Sequence, residues 1–381
     1  MTVFVQSRRS IALSTLLLIA GCGVVRHVTA PTATATRTLS RDECRTVMVD
    51  DSDLSSLQRA LERSLDYYRR LPEDQAVPLL DRTVTVRELR DVMESLISQP
   101  VGANDAARLC DRFALVQALP ARPLLITGYY EPELPARRRR SERFRYPIYE
   151  LPDDLVTVDL TPFCASCTPK RAVGRVRDGE LVPYYTRAEI DRGALGEHGS
   201  VLAWLDDPVE AFFLHVQGSA RLHFDDGVHM EVSYNGSNGR PYTSLGRVLV
   251  ETGKLALADV SLSSLKTYLR DHPDERDELM QRNERCIFFR TVPVGPVGSL
   301  GQPLTAGRSI AADARVYPPG ALVLLKSADS AVASRLALLQ DAGVAISGDH
   351  RLDFFCGTGE SAAAAAGGMQ AGGELYFVLP K

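Results

Sequence analysis

Apolar and polar positions recur with two different periods along this chain, and the change of period divides it. Leu54, Leu57, Leu61, Leu65 and Tyr68 follow one another at three- and four-residue steps, which predicts a helix with one buried face. Thr85-Val86-Arg87-Glu88 reads as a capping box, opening a second helix whose apolar face carries Leu89, Val92, Met93 and Leu96. From about Leu124 the chain turns to short strand-like runs broken by Gly, Pro and Asp, such as Leu125-Ile126-Thr127 and residues 211–216. Residues 220–224, the turn Asp225-Asp226-Gly227 and residues 228–232 alternate apolar with polar and predict a β-hairpin. Helical spacing returns at 245–250, stopped by Gly253, and again from Leu262 to about Leu269. Beyond Cys286 the pattern is β-rich and ends in Leu375-Tyr376-Phe377-Val378-Leu379, with a short helix at 362–366 closed by Gly367 and Gly368. There is no internal repeat. The order predicts an α+β or mainly β protein, compatible with one domain inserted into another.

The N-terminus adds a compartment. Arg8 and Arg9 precede an apolar run from Ile11 to Ala20, then Gly21 and Cys22, the layout of a secretory signal too short to span a bilayer. Ile19-Ala20-Gly21-Cys22 resembles the bacterial lipobox, in which the Cys becomes the lipidated first residue, and Gly23 after it, rather than Asp, implies the outer membrane. Residues 1–22 are therefore expected to be a lipoprotein signal ending at a lipidated Cys22, and the Thr-, Ala- and Pro-rich residues 23–45 a flexible tether. Export makes disulfides possible among Cys44, Cys110, Cys164, Cys167, Cys286 and Cys356. Cys164-Ala-Ser-Cys167 has half the spacing of a zinc ribbon without a second half, so a local disulfide or two thiols is expected before metal.

Composition changes little. With 45% hydrophobic and 24% charged residues over 381 positions, the chain can bury a core as one large domain or two smaller ones. Its formal net charge of −4 argues against a general affinity for nucleic acid. The basic run Arg137-Arg138-Arg139-Arg140 reads as a solvated loop, or as a contact for acidic peptides or anionic lipid headgroups.

Candidate chemistry lies in the C-terminal third. Ala306-Gly307-Arg308-Ser309-Ile310-Ala311-Ala312-Asp313, Asp341-Ala342-Gly343 and Gly348-Asp349-His350-Arg351-Leu352-Asp353 set three separated aspartates beside small or apolar residues. A carboxylic acid donates a proton at neutral pH only if desolvation or a nearby like charge lifts it above the ordinary carboxylate range. Leu352, Phe354 and Phe355 around Asp353 suit the first, and Asp341 or Asp349 the second. Gln217, Gly218 and Ser219 combine an amide, a close-approach glycine and a hydroxyl, suited to a sugar groove or to a polar turn. Tyr129, Tyr130, Tyr184, Tyr185 and Tyr242 have rings that stack on pyranose faces or pack in a core. His350 is placed either to bond a carboxylate or to serve structure, and the histidines show no metal-ligand spacing.

The three-aspartate pattern resembles that of the lytic transglycosylase A family. Thr127-Gly128-Tyr129-Tyr130-Glu131-Pro132, Pro183 to Ile190 through Thr186, Val216-Gln217-Gly218-Ser219, Asn235-Gly236 through Gly246-Arg247, and Gly357-Thr358-Gly359-Glu360 are similar to it in the same order. The resemblance runs from about residue 45 to the end. It implies a mainly β fold with helices (α+β): a double-psi β-barrel from residues 46–127 and 255–381, a second β-domain inserted at 128–254, and a groove between them for a peptidoglycan glycan strand. It makes Asp353 the catalytic acid and base, and Asp341 and Asp313 supporting carboxylates. Tyr129, Tyr130, Thr186, Gln217, Gly218, Ser219 and Arg308 are the expected substrate-binding residues. Val344 stands where the family often has the second of two glycines, and Cys356 stands between Phe355 and Gly357 where an aromatic-Gly pair is usual. No metal or cofactor is implied. A monomer anchored to the outer membrane and facing the periplasm is expected, with cell-wall synthesis proteins as candidate partners. Two other readings remain open, a hydrolase of the same bond with Asp341 activating water and a non-catalytic peptidoglycan-binding lipoprotein.

Overall fold

The computed structural model describes residues 35–100, 105–164, 166, 170–343 and 346–381, so the expected signal, Cys22 and residues 23–34 lie outside the described residues. The two predicted N-terminal helices form as Leu54–Tyr68 and Val86–Ser98. Asp53 caps the first by accepting from Ser56 N, and Thr85 and Glu88 close the capping box of the second. Their apolar stripes, including Leu57, Leu61, Leu65, Val92 and Met93, enter one core with the strands described next. Each such side chain contributes roughly 1.5–3 kcal/mol by leaving water.

Six strands close into a ring. Gln370–Pro380 pairs antiparallel with Leu322–Ser327, which pairs antiparallel with Ser334–Asp341. Ser334–Asp341 runs parallel to Ser309–Ala311, which is antiparallel to Arg351–Thr358. Arg351–Thr358 runs parallel to Leu124–Glu131, and that strand returns to Gln370–Pro380 antiparallel. Ile126, Ile310, Leu324, Leu338, Leu352 and Phe377 from these strands are each 0% exposed. Phe113–Leu119 and Ala35–Thr38 extend the sheet beyond Gln370–Pro380.

A second sheet takes the order Ile287–Val292, His229–Ser237, Ser219–His223, Glu133–Arg137, Val201–Leu205 and Tyr146–Tyr149. The predicted hairpin supplies its second and third strands, and a separate three-stranded sheet joins Val156–Asp159, Arg171–Arg177 and Glu180–Pro183. The fold is thus mixed α and β, and mainly β. Among the described residues no helix is long and apolar enough to cross a membrane.

Three expectations change, and the cysteines left open are placed. Residues 211–216 belong to the helix Pro208–Gln217, because Asp207 caps it, Pro208 starts it and Gly218 stops it in the left-handed region. The segment placed in the tether as far as residue 45 is ordered from Ala35, as an edge strand and the helix Arg41–Val47 tied down by the Cys44–Cys110 disulfide. The inserted segment does not end at 254. Leu262–Asp271 and Pro273–Gln281 pack against Phe212, Phe213 and Leu249, and Ile287–Val292 pairs in the second sheet. Of the other cysteines, Cys286 is a buried thiol and Cys356 a half-buried one, while Cys167 lies outside the described residues.

Candidate active site

On a strand, side chains two apart point to the same side. Thr127, Tyr129 and Glu131 therefore share one face of Leu124–Glu131, and Asp353 and Phe355 share one face of the neighbouring Arg351–Thr358. The parallel register sets Asp353 opposite Thr127. The Thr127 hydroxyl donates to Oδ1 of Asp353, and Arg351 Nε donates to the same oxygen at 3.2 Å. Oδ2 accepts no hydrogen bond among the described residues, and the Asp353 side chain keeps 17% of its surface exposed. One oxygen is held and the other is available.

Asp341 ends the strand Ser334–Asp341 and is held differently. Its Oδ1 accepts from the backbone N–H groups of Ser299 and Ala342, both at 2.9 Å, and its Oδ2 accepts from the Tyr129 hydroxyl at 2.9 Å. Burial pushes the Asp341 carboxyl above its ordinary value, with the Asp353 charge adding to the effect; the three donors oppose it. Tyr129 leans on Phe355 with ring centroids 5.2 Å apart. Gly128 lies between Thr127 and Tyr129 because a Cβ there would come within 2.6 Å of Ala366 Cα in the helix Glu360–Gly368.

Tyr129, Phe355, Asp341 and Ala342 form one wall of a cleft of about 500 Å³. Tyr130, Gln217, Gly218, Ser219, Ser233, Tyr234 and Arg290 also line it, most of them from the second sheet and the helix that precedes it. Gly218 takes φ 90° as the C-cap of Pro208–Gln217, which turns Gln217 and Ser219 into the cleft. Asp353 and Thr127 lie beside this cavity, one strand step from Phe355 and Tyr129. The structure thus brings together Tyr129, Tyr130, Gln217, Gly218, Ser219 and Asp341, with Asp353 adjoining.

Three expected site residues lie elsewhere. Arg308 is 0% exposed and donates to Asp50 at 2.7 Å, Ser56 at 2.9 Å, and the carbonyls of Leu336 and Asp53 at 2.6 and 2.7 Å. A side chain sealed in this way has no face for substrate; it ties the first long helix to the ring. Thr186 caps the helix Arg187–Asp191 in a box with Glu189. Asp313 pairs with Arg315 at 2.6 Å and accepts from Gly348 N at 2.8 Å. Burial raises the Asp313 carboxyl, but these partners outweigh it and hold it below its ordinary value. It shapes the loop that leads into Arg351–Thr358.

Of the other tyrosines, Tyr184 is 0% exposed and donates to Asp154, while Arg175 lies over the Tyr185 ring at 4.3 Å. In the basic run, Arg137 pairs with Asp225 and Arg138 lies 4.4 Å from the Phe224 ring centroid. His350 Nδ1 is 3.6 Å from Asp349. Among the described residues the grouping within reach of a metal ion is Asp153, Asp154 and His198, outside the cleft lining. Sequence reasoning missed Thr127 and Arg351 as the holders of Asp353. The alternation of the Leu124–Glu131 strand carried the signal for Thr127.

The MltA specific insert domain matches residues 125–290, and the 3D domain matches residues 308–379. Membrane-bound lytic murein transglycosylase A of Escherichia coli K12 is 32% identical over 263 residues, 66% of this chain; the match spans 64% of that relative's length. The crystal structure of a membrane-bound lytic murein transglycosylase from Agrobacterium tumefaciens superposes with a TM-score of 0.79 at 29% identity, covering 91% of this chain and 98% of that one. E. coli MltA with bound chitohexaose shares the fold at a TM-score of 0.67 and 22% identity, covering 92% and 96%. With both domains matched in order across the ring, the cleft and the second sheet, the chain belongs to the family of membrane-bound lytic murein transglycosylase A.

Proposed function

We propose that this protein is a lytic transglycosylase that cleaves the β-1,4 bond between N-acetylmuramic acid and N-acetylglucosamine in peptidoglycan, with Asp353 as acid and then base. The observation that carries the reading is the asymmetry of Asp353: Thr127 and Arg351 hold Oδ1, and Oδ2 is unengaged beside a cleft sized for sugars. The solved structure of E. coli MltA with chitohexaose supports an oligosaccharide as the occupant.

Protonated Asp353 gives its proton to the glycosidic oxygen as the C1–O bond breaks and positive charge builds at C1. The C6 hydroxyl of the same muramic acid attacks C1, and its proton passes to the Asp353 carboxylate. A 1,6-anhydro end forms, the leaving sugar departs with a new 4-hydroxyl that carries the Asp353 proton, and the acid is restored without water. All three hydrogen bonds to Asp341 are made within the protein, which suits a carboxylate that shapes the cleft wall more than one that activates water. Gln217 and Ser219 supply donors and acceptors to the sugars. We read the six-stranded ring as the double-psi barrel of the family, and Cys22 as the lipid anchor that holds the enzyme at the outer membrane, facing the periplasm.

The test is digestion of purified sacculi with the protein lacking residues 1–22, read by mass spectrometry beside Asp353→Asn. Fragments one water lighter than hydrolytic products, absent with the variant, support the reading. Reducing ends identify a hydrolase, and no release by folded protein identifies a binding module.

A further inference from the structure

The third residue on the face of Leu124–Glu131 meets a carboxylate of its own. Glu131 is 1% exposed, and Glu231, on the second sheet's His229–Ser237, is 7% exposed. Oε2 of Glu131 accepts from the Thr358 hydroxyl at 3.1 Å, and Oε1 of Glu231 accepts from Arg221 Nε at 2.6 Å. The other two oxygens, Oε1 of Glu131 and Oε2 of Glu231, are buried and accept no hydrogen bond among the described residues. They face one spot: a Cβ on Gly295 would lie 3.3 Å from the first and 3.0 Å from the second.

That spot is where the chain passes between its two sheets. Glu131 ends a ring strand, and Glu133 opens the first strand of the second sheet. Gly295 lies on the return segment, between Ile287–Val292 and Ser309–Ala311. Arg221 is the cation here, shared by Glu231 and by Glu133 at 3.1 Å, and His223 is 3.7 Å from Glu133. One guanidinium thus faces three carboxylates, two of them buried. The Ser219 hydroxyl, from the cleft wall, also acts on Glu131.

Two buried carboxylates side by side are costly when both are ionised, and one proton between their free oxygens gives each a partner. Burial, and then the charge of Glu231, pushes Glu131 up to about 7, while Thr358, Arg221 and Ser219 pull it down.

We propose that Glu131 is a positioning residue: protonated and bonded to Glu231, it ties the strand bearing Thr127 and Tyr129 to the sheet bearing Ser219, and so sets the width of the cleft. The effect on turnover rests on the reading of that cleft as a glycan site; the shared proton does not. When the proton leaves, the tie goes, and substrate binding weakens while Asp353 and its holders stay in place.

Glu131→Gln keeps the shape and a donor but cannot titrate. It is compared with the wild type from pH 5 to 8.5, with Glu231→Gln as a second variant should the first fail to fold. The first readout is thermal melting, which is independent of activity. A carboxyl raised in the folded state holds a proton that the unfolded chain has lost, so its stabilisation is full below the ordinary value and disappears as pH rises through about 7. The wild type should therefore lose about 5 °C relative to Glu131→Gln across that range. The second readout is fragment release from sacculi. The wild-type KM should climb above neutral pH by up to about tenfold per unit and that of Glu131→Gln should stay flat, while kcat follows the same pH profile in both. Parallel melting profiles overturn the shared proton. A melting difference with identical KM profiles overturns the positioning role. If the wild type releases nothing, the glycan reading fails and the melting profiles still decide the proton.

Discussion

Thr127 donates its hydroxyl to Asp353 from directly across a parallel strand pair, although 226 positions separate them in the chain. That bond and the one from Arg351 leave Asp353 with a fixed carboxyl plane and one open oxygen.

Thr127→Val keeps the β-branched shape and removes the donor. Hydrogen bonds to charged groups contribute about 1.5–3 kcal/mol, so release of anhydro fragments should fall about 10- to 100-fold, in kcat more than in KM. An unchanged kcat in a steady-state assay on sacculi refutes the holding role of Thr127.

Tyr129→Phe removes the one side-chain donor to Asp341 among the described residues, a bond that lowers a carboxyl already raised by burial. Asp341 should titrate still higher. A carboxyl raised in the folded state costs stability as pH rises through its folded value, so the variant should melt further below wild type at pH 8 than at pH 5. Calorimetry at the two pH values checks this, and an equal difference at both counts against it.

Arg308→Met should destabilise the fold by about 3–5 kcal/mol, because it leaves Asp50 buried without its counter-ion. The side chain is sealed from solvent, so the fraction that stays folded should bind substrate with an unchanged KM. Denaturant titration measures the first effect; a raised KM would restore Arg308 to the cleft.

Replacing Cys44 and Cys110 together by Ser opens a covalent loop between residues 66 positions apart. The chain-entropy relation puts the loss near 4 kcal/mol at 25 °C. Melting of the double variant against the oxidised wild type reads it out, and the wild type in reductant should approach the variant.

The helices and their ends were written locally. Apolar spacing and the Thr85–Glu88 box place Val86–Ser98, and the Asp225-Asp226-Gly227 turn places the hairpin. Where one local signal competed with another, the end signals won: residues 211–216 are apolar enough for a strand, but Asp207, Pro208 and Gly218 make them a helix. The three aspartates were visible as a pattern, and their roles were not. Asp353 and Asp341 adjoin the cleft, whereas Asp313 is bound to Arg315 and does not line it.

The sequence by itself determined which segments are helical, where they start and stop, and which third of the chain carries the carboxylates, because capping and periodicity are relations among residues a few positions apart. Only the tertiary structure decided that Thr127 holds Asp353, that Arg308 serves Asp50, and that Glu131 and Glu231 turn to one spot. Those contacts depend on a ring in which strands distant in sequence run side by side. A one-residue change of register there would turn every side chain to the opposite face, and no local preference sets that register.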